Sequence, residues 1–165
     1  MEENSKNLYA SGITTIDREI LRALQNDGRM TNAELAKKVG LSPAACHKRV
    51  KRLEADGTIK HYCAVIDRRT AGYPQSVFVQ ITLEGQGSDA LEAFELAVVD
   101  YPEIIECHLM TGAYDYLLHV ITKDAEEYES LHRDILTKLP GVSRLTSSFA
   151  LRTVRQTSEI PIHRN

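Results

Sequence analysis

The sequence predicts an α+β fold, because helical and strand-type patterns of apolar residues occupy different parts of the chain. In residues 1–62 the apolar residues recur every three or four positions, as they do in helices. In residues 76–165 segments of alternating apolar residues are interleaved with two further helical patterns. Gly72 and Pro74 lie between the two parts and favour a hinge. We therefore expect domains over residues 1–62 and 76–165, joined by a strand and hinge over residues 63–75.

Three short helices are predicted in the first domain. The first, Ile16–Gln25, has one apolar face. The second, Thr31–Val39, begins with a capping box, in which Thr31 and Glu34 satisfy free backbone N–H groups reciprocally. The third, Ser42–Asp56, follows the turn at Gly40 and starts with a serine N-cap and a proline in its first turn. Two short helices joined by a glycine turn are typical of a helix-turn-helix.

The third helix has an apolar face and a basic face. On a helical wheel Cys46, Val50 and Leu53 point inward. Small residues near the helix start allow the backbone to enter a major groove, and the Lys and Arg side chains can reach phosphates or guanine edges. A solvated basic face is the alternative interpretation. The predicted DNA-contacting residues are Ser42, Ala44, Ala45, His47, Lys48, Lys51 and Arg52.

A segment with strand-type composition follows the third helix. Thr58–Ile66 is rich in β-branched and aromatic residues and is predicted to be a strand. Lys60 and His61 within it could contact the DNA backbone as a wing. The first domain is therefore predicted to be a winged helix-turn-helix.

The second domain is predicted to have the order β-α-β-β-α-β. This is the ferredoxin-like pattern, in which both helices cover one face of an antiparallel sheet. The open face requires cover, and pairing with a second copy of the chain is the simplest solution. The predicted strands are Ser76–Leu83, Ile104–Met110, Tyr116–Thr122 and a segment within Val142–Val154, with helices opened by Ser88 and Asp124 and carrying the apolar residues Leu91, Phe94, Leu96, Ala97 and Val98 and then Tyr128, Leu131, Ile135, Leu136 and Leu139.

The charge distribution separates the same two parts of the chain. Residues 1–70 carry 13 Lys and Arg against 9 Asp and Glu, whereas residues 71–165 carry 7 against 14. The formal net charge of -3 hides this asymmetry. A basic first part is typical of a unit that binds a polyanion, and the acidic remainder indicates another task.

Composition also bears on the compartment. The N-terminal MEENSKNLYASG lacks the apolar stretch of a signal peptide, and no apolar run approaches the ~18 residues of a membrane span. We expect a cytoplasmic protein associated with the nucleoid. Cys46, Cys63 and Cys107 are odd in number and widely spaced, which indicates core or half-buried thiols rather than a disulfide framework or a metal site. No metal or cofactor is expected.

Four segments carry a resemblance to a known family: TNAELAKKVGLSPAACHKRVKRLEADGTIKHY, IECHLMTGAYDYLLHV, LPGV and TSEIPI. Together they resemble the leucine-responsive/asparagine-regulator (Lrp/AsnC, or feast/famine) family of bacterial and archaeal transcription factors, over nearly the whole chain. The resemblance implies a winged helix-turn-helix followed by a domain that regulates amino-acid metabolism (RAM domain). It also implies dimers that often assemble into octamers, with a small amino acid bound between regulatory domains.

Carried over residue by residue, the resemblance places the effector site on one hairpin and on the last strand of a neighbouring subunit. The Asp115 carboxylate can accept hydrogen bonds from an ammonium group, and a tight turn at Gly112 exposes backbone N–H groups to a carboxylate. Both are also ordinary turn residues, so a hairpin without a ligand is the alternative. The implied residues are Leu109, Thr111, Gly112, Ala113, Tyr114 and Asp115 from the hairpin and Ser147, Ser148 and Ala150 from the neighbour.

Two other functions fit parts of the sequence. Some siroheme decarboxylases resemble the same family, and His108, His119 or His132 could serve tetrapyrrole chemistry. These histidines are scattered over strands and a helix without a catalytic constellation, so we expect no enzyme activity. The second alternative is a nucleoid-organising protein that wraps DNA with little sequence preference. The ratio of specific to non-specific affinity at fixed salt separates it from a sequence-specific regulator.

Overall fold

The computed structural model describes residues 12–162, which form two compact units. Residues 12–64 and 155–162 make up the first unit, and residues 65–154 make up the second. The C-terminal tail therefore groups with the helical unit, whereas the sequence suggests that it belongs to the second domain. Most of MEENSKNLYASG, the segment tested for a signal peptide, lies outside the described residues. Within the described part, no helix is long and apolar enough to cross a membrane.

Three helices form the first unit, as the sequence predicts. Each begins with a side-chain cap: Thr14 accepts from the N–H of Asp17, Thr31 from that of Glu34, and Ser42 from that of Ala45. The capping box predicted at Thr31 is confirmed, since the Thr31 N–H also donates to Glu34 Oε2 at 2.8 Å. The helices are α1 (Thr15–Asn26), α2 (Asn32–Lys38) and α3 (Pro43–Ala55), and they enclose Ile20, Ala23, Leu35, Ala36, Val39, Cys46 and Leu53.

Residues 58–66 do not form a strand, contrary to the prediction from their composition. Within residues 12–162 no strand pairs with them, and an unpaired strand leaves its backbone groups without partners. Instead the N–H of Ile59 donates to the C=O of Leu53 at 2.8 Å, which fastens the segment to the end of α3. Lys60 and His61 are exposed on this segment rather than on a β-wing.

The second unit has the predicted β-α-β-β-α-β order. Its sheet is antiparallel throughout, with the strand order β2-β3-β1-β4 expected of a ferredoxin-like fold. The strands are β1 (Gln75–Leu83), β2 (Ile104–Leu109), β3 (Tyr116–Thr122) and β4 (Val142–Phe149), and the helices are α4 (Ser88–Val98) and α5 (Ala125–Asp134), the latter followed by a 3-10 turn (Leu136–Lys138).

Both helices cover one face of this sheet. The alternate residues of β1 that the sequence places inward are all buried, and Phe94 of α4 packs on Tyr116 with ring centroids 4.5 Å apart. On the opposite face Phe78 is 38% exposed. One face of the sheet is therefore the core, and the other leaves Phe78 partly exposed. The core residues are Val77, Val79, Ile81, Leu83, Phe94, Val98, Tyr116, Leu118, Val120, Tyr128, Leu131, Leu136 and Leu139.

One local prediction in this unit is wrong. Ser88 is the first residue of α4 rather than its cap, because Gly87 holds the N-cap position without a side-chain bond. Leu96 of α4 is 64% exposed, since it falls on the helix face opposite Phe94 and Val98. The last strand ends at Phe149, within the predicted segment Val142–Val154, and residues 150–154 are irregular.

The cysteines are free, but only one is buried. Cys46 lies in the core of the first unit, whereas Cys63 and Cys107 are exposed rather than half-buried as predicted. Among the described residues no group of His, Cys, Asp and Glu is arranged to hold a metal ion.

Candidate DNA-binding and ligand-binding sites

The outer face of α3 carries every residue that the sequence predicts to contact DNA. Proline in the first turn and the serine cap fix the start of the helix, so its apolar residues face α1 and α2. The predicted residues all lie on the exposed side: Ser42, Ala44, Ala45, His47, Lys48, Lys51 and Arg52. Their grouping on one helix face agrees with the helical wheel.

One acidic side chain beneath α3 is fully buried. The Asp17 carboxylate of α1 accepts hydrogen bonds from Arg49 Nη1 at 3.1 Å and Arg52 Nη2 at 2.6 Å. It also accepts from the N–H and Oγ1 of Thr14, at 2.9 and 2.7 Å. Three of these four donors bind Oδ2 and one binds Oδ1, so both oxygens of the carboxylate are engaged. Asp17 therefore binds two of the four cationic side chains of the predicted DNA-contacting helix.

The environment of Asp17 keeps its carboxylate ionised. Burial alone raises the pKa, but the hydrogen bonds from Thr14, Arg52 and Arg49 outweigh burial and lower the pKa of Asp17 to about 2. The side chains of Arg49 and Arg52 are 32% and 48% exposed. The ion pairs therefore lie at the border between the helical core and solvent.

The other two cations of α3 are held less firmly. Lys51 Nζ lies 2.9 Å from Glu54 Oε2, but the lysine is largely exposed, and such surface pairs contribute little. Glu54 also accepts from the Tyr62 hydroxyl at 3.3 Å. Lys48 makes no salt bridge with any described residue. Lys48 is thus the most available cation on this face.

The predicted effector hairpin is a six-residue connection between β2 and β3. It is closed by the N–H of Met110, which donates to the C=O of Asp115 at 2.8 Å. Gly112 has φ +126°, a backbone conformation that residues other than glycine rarely adopt. Leu109, Thr111, Gly112 and Ala113 are exposed, and Tyr114 is half-buried. The tip of the hairpin is therefore open to solvent.

Asp115 is buried at the base of this hairpin. Its Oδ2 accepts from the N–H of Leu83 at 2.8 Å, and its Oδ1 accepts from Gln86 Nε2 at 2.6 Å. Its own N–H donates to the C=O of Ile81 at 2.8 Å. The carboxylate therefore ties the hairpin to the end of β1 and to the segment after it. This bracing is a structural task that the sequence does not reveal.

Ser147, Ser148 and Ala150 do not meet the hairpin within one chain. The register pairs Ile81 with Tyr116 but Val77 with Phe149, so the hairpin and the end of β4 lie at opposite ends of the sheet. The two serines also lie on opposite faces. Ser147 accepts from the Tyr128 hydroxyl on the helix side, and Ser148 pairs with the exposed Phe78 on the open side. Any site that combines them with the hairpin requires a second copy.

The three histidines considered for catalysis do not converge. His119 is buried on the open side of the sheet, where its Nε2 lies 2.7 Å from Ser76 Oγ and its ring stacks on Phe78. Burial lowers the pKa of His119, Arg68 lowers it further, and Glu106 opposes them. His108 lies 3.4 Å from Glu106, and His132 contacts Tyr128 on α5 at a ring distance of 6.2 Å.

The predicted site residues do not include Ser76, Glu106, Asp17, Arg49 and Gln86.

Local signals could have found only part of this omitted set. Asp17 stands three residues after Thr14, the spacing of a capping box, and falls on the inner face with Ile20. Its partners Arg49 and Arg52 are 32 and 35 residues away along the chain, so pairing depends on how α1 packs against α3. No comparable spacing signal points to Gln86.

The chain matches two family models over most of its length. Residues 13–60 match the winged helix-turn-helix DNA-binding model, and residues 76–160 match the Lrp/AsnC ligand binding domain. The first range contains all of α1–α3, and the second contains the hairpin and all of the sheet except Gln75.

Known proteins support the same assignment. The Bkd operon transcriptional regulator of Pseudomonas aeruginosa is 43% identical over 147 residues, spanning 89% of this chain and 96% of that protein. The leucine-responsive regulatory protein of Escherichia coli K12 is 40% identical over 159 residues, spanning 96% and 97%. A transcriptional regulator of Neisseria meningitidis, solved as a complex with L-Met, superimposes with a TM-score of 0.86 at 33% identity, covering 91% and 97%.

These matches define a class of DNA-binding regulator that has a separate ligand-binding domain. The chain belongs to the Lrp/AsnC family of transcriptional regulators. It is a regulator rather than an enzyme, as the sequence predicts.

The bracing role of Asp115 leads to a stability prediction. Asp115→Ala removes both acceptors and leaves the buried N–H of Leu83 without a partner, so we expect it to lower the free energy of unfolding by about 1–3 kcal/mol. Asp100→Ala, at an exposed position in the same unit, is the matched control and should change it by less than about 0.5 kcal/mol. Denaturant unfolding measures both values. Equal stability of the two variants would show that the Asp115 contacts do not hold the hairpin.

Proposed function

We propose that this protein is a sequence-specific regulator of genes of amino-acid metabolism, which responds to a small amino acid bound at the hairpin between β2 and β3. The observation that carries the proposal is that one chain combines an exposed basic helix in a helix-turn-helix with a ligand-binding domain of the Lrp/AsnC type. The L-Met complex of the Neisseria meningitidis regulator supports an amino acid as the effector class.

The DNA-contacting surface is the outer face of α3. The small residues Ala44 and Ala45 allow the start of the helix to approach the base edges, where His47 is in reach of a base or phosphate. Lys48 and Lys51, one turn further along, can reach the phosphate backbone. Ser42 caps the helix at the same end as these two alanines.

Lys48 gives the sharpest test of this surface. Lys48→Gln should weaken DNA binding and reduce the slope of log K against log [salt] by about 0.9, the contribution of one phosphate contact. Lys123→Gln, at an exposed position of the second unit, is the control and should leave the slope unchanged. Fluorescence anisotropy on the protein's own promoter and on random DNA gives both affinities.

The same titrations test sequence specificity. We expect the promoter fragment to bind at least about 10³-fold more tightly than random DNA at fixed salt. A ratio near one on every promoter would favour a DNA-wrapping, nucleoid-organising protein instead. An unchanged slope for Lys48→Gln would show that α3 is not the contact surface.

The effector site lies at the exposed hairpin tip. A Gly112 turn presents backbone N–H groups, which suit the carboxylate of an amino acid, and Leu109 offers a 58% exposed apolar side chain beside it. Thr111, Ala113 and Tyr114 form the rest of the tip, and Asp115 holds its base and provides the remaining carboxylate acceptor sites for an ammonium group. Ser148 and Ala150 of another subunit complete the site, with Ser147 behind them.

Assembly of at least two chains follows from this site and from the open sheet face. Phe78 and Ile105 are 38% and 41% exposed, although they belong to strands of the sheet. Pairing two such faces removes this apolar surface from water and places two α3 helices on one molecule of DNA. We propose a homodimer as the basic unit, which assembles further, up to an octamer, to bring hairpins and β4 ends together.

A thermal-shift screen with the twenty amino acids tests the effector proposal. A ligand at about 100 times its Kd stabilises the folded protein by about 2.7 kcal/mol and raises its Tm. Ala113→Glu places a carboxylate at the hairpin tip and should abolish the ligand-induced shift without lowering the Tm of the free protein. Ala71→Glu, also exposed in the second unit, should keep the shift. A full shift in Ala113→Glu would exclude this hairpin as the site.

A further inference from the structure

Asp17 does more than cap α1. The cap needs only Oδ2, which accepts from the N–H and Oγ1 of Thr14. Oδ1 is bound by Arg49, and Oδ2 receives a further bond from Arg52, although neither arginine belongs to α1. The carboxylate thus engages two cations of the DNA-contacting helix that the helix cap does not require.

We propose that Asp17 is a specificity-determining residue, which holds the guanidinium groups of Arg49 and Arg52 away from the DNA backbone and so limits binding to DNA of random sequence. This inference rests on the proposed assignment of α3 as the DNA-contacting helix. Non-specific binding comes from contacts between cations and phosphates, whereas sequence is read from base edges. Withdrawing two cations weakens non-specific binding to phosphates. The base contacts are made by the start of the helix and are not affected.

The burial of Asp17 explains why a phosphate does not displace it. Its side chain is fully buried, so removing Arg49 leaves Oδ1 without a donor, and removing Arg52 leaves the buried anion with one cationic partner instead of two. A phosphate gains the same hydrogen bond that Asp17 loses, and the cost of leaving the buried charge with fewer cationic partners has no counterpart on the DNA side. Exchange of Arg52 from Asp17 to a phosphate is therefore unfavourable.

The four cations of α3 therefore differ in how readily they can contact a phosphate. Lys48 has no salt bridge with a described residue, and Lys51 has an exposed pair with Glu54 that is easily exchanged. Arg49 and Arg52 are held by the buried acid. The sequence alone counts four cations on this helix, but only the two lysines are free to reach phosphates.

A double-mutant cycle on random-sequence DNA tests the inference. We expect Asp17→Asn to steepen the slope of log K against log [salt] by about 0.9 for each arginine that it releases, and so by up to about 1.8. Each step of about 0.9 is about eightfold tighter binding at ~0.1 M salt if the lines converge at ~1 M. Arg52→Gln should leave the slope unchanged in the wild-type background and lower it by about 0.9 in the Asp17→Asn background. Lys48→Gln is the matched control and should lower it by about 0.9 in both.

Each outcome decides a separate point. The inference is overturned if Asp17→Asn leaves the salt slope unchanged or lowers it. It is also overturned if Arg52→Gln in the wild-type background lowers the slope as Lys48→Gln does. Either result means that Asp17 orients the arginines for phosphate contact or has no effect on them. If Lys48→Gln has no effect, the assignment of α3 is wrong and the inference falls with it. If Asp17→Asn does not fold, the salt slope of Arg52→Gln in the wild-type background decides the question alone. We expect this variant to fold, because Arg49 still pairs with Asp17.

Discussion

A buried carboxylate needs hydrogen-bond donors in place of water, and two such carboxylates lie behind the proposed DNA-contacting face of α3 and the proposed effector hairpin. Asp17 joins α1 to α3, so the orientation of the proposed DNA-contacting helix depends on it. Asp115 joins the hairpin to the end of β1, so the shape of the candidate effector site depends on it. In both cases the acid lies behind the surface that is proposed to bind. Binding and stability are therefore coupled at these two residues.

Elements that depend on local sequence were predictable. The caps of α2 and α3 follow from Thr31, Ser42 and Pro43, because a cap satisfies backbone groups within three residues of itself. The inward face of β1 follows from strict alternation, and the β-α-β-β-α-β order follows from the sequence of such patterns. The outer face of α3 follows from the helical period alone, which is why every predicted contact residue there is exposed.

Features that depend on packing were not predictable. The composition of residues 58–66 favours a strand, but a strand requires a partner, and no local pattern reveals that none is available among the described residues. Gln86 binds Asp115 across 29 positions, and Arg52 binds Asp17 across 35. For the same reason the sequence predicts Arg52 as a DNA contact and Asp115 as an effector residue, with an ordinary turn residue as the alternative, whereas the fold places both in hydrogen-bonded networks.

The measurement that tests the account most directly is the titration of the Asp17 carboxyl, followed by the ¹³Cγ chemical shift in an NMR pH series. Because its hydrogen bonds with Thr14, Arg52 and Arg49 outweigh burial, we expect Asp17 to stay ionised as the pH falls below 3.8 and to titrate at about 2. Its stabilising contribution, of about 2 kcal/mol, is then present above pH 3.8 and lost as the pH falls through about 2. A midpoint at 3.8 or above would contradict the claim that the two arginines bind this acid.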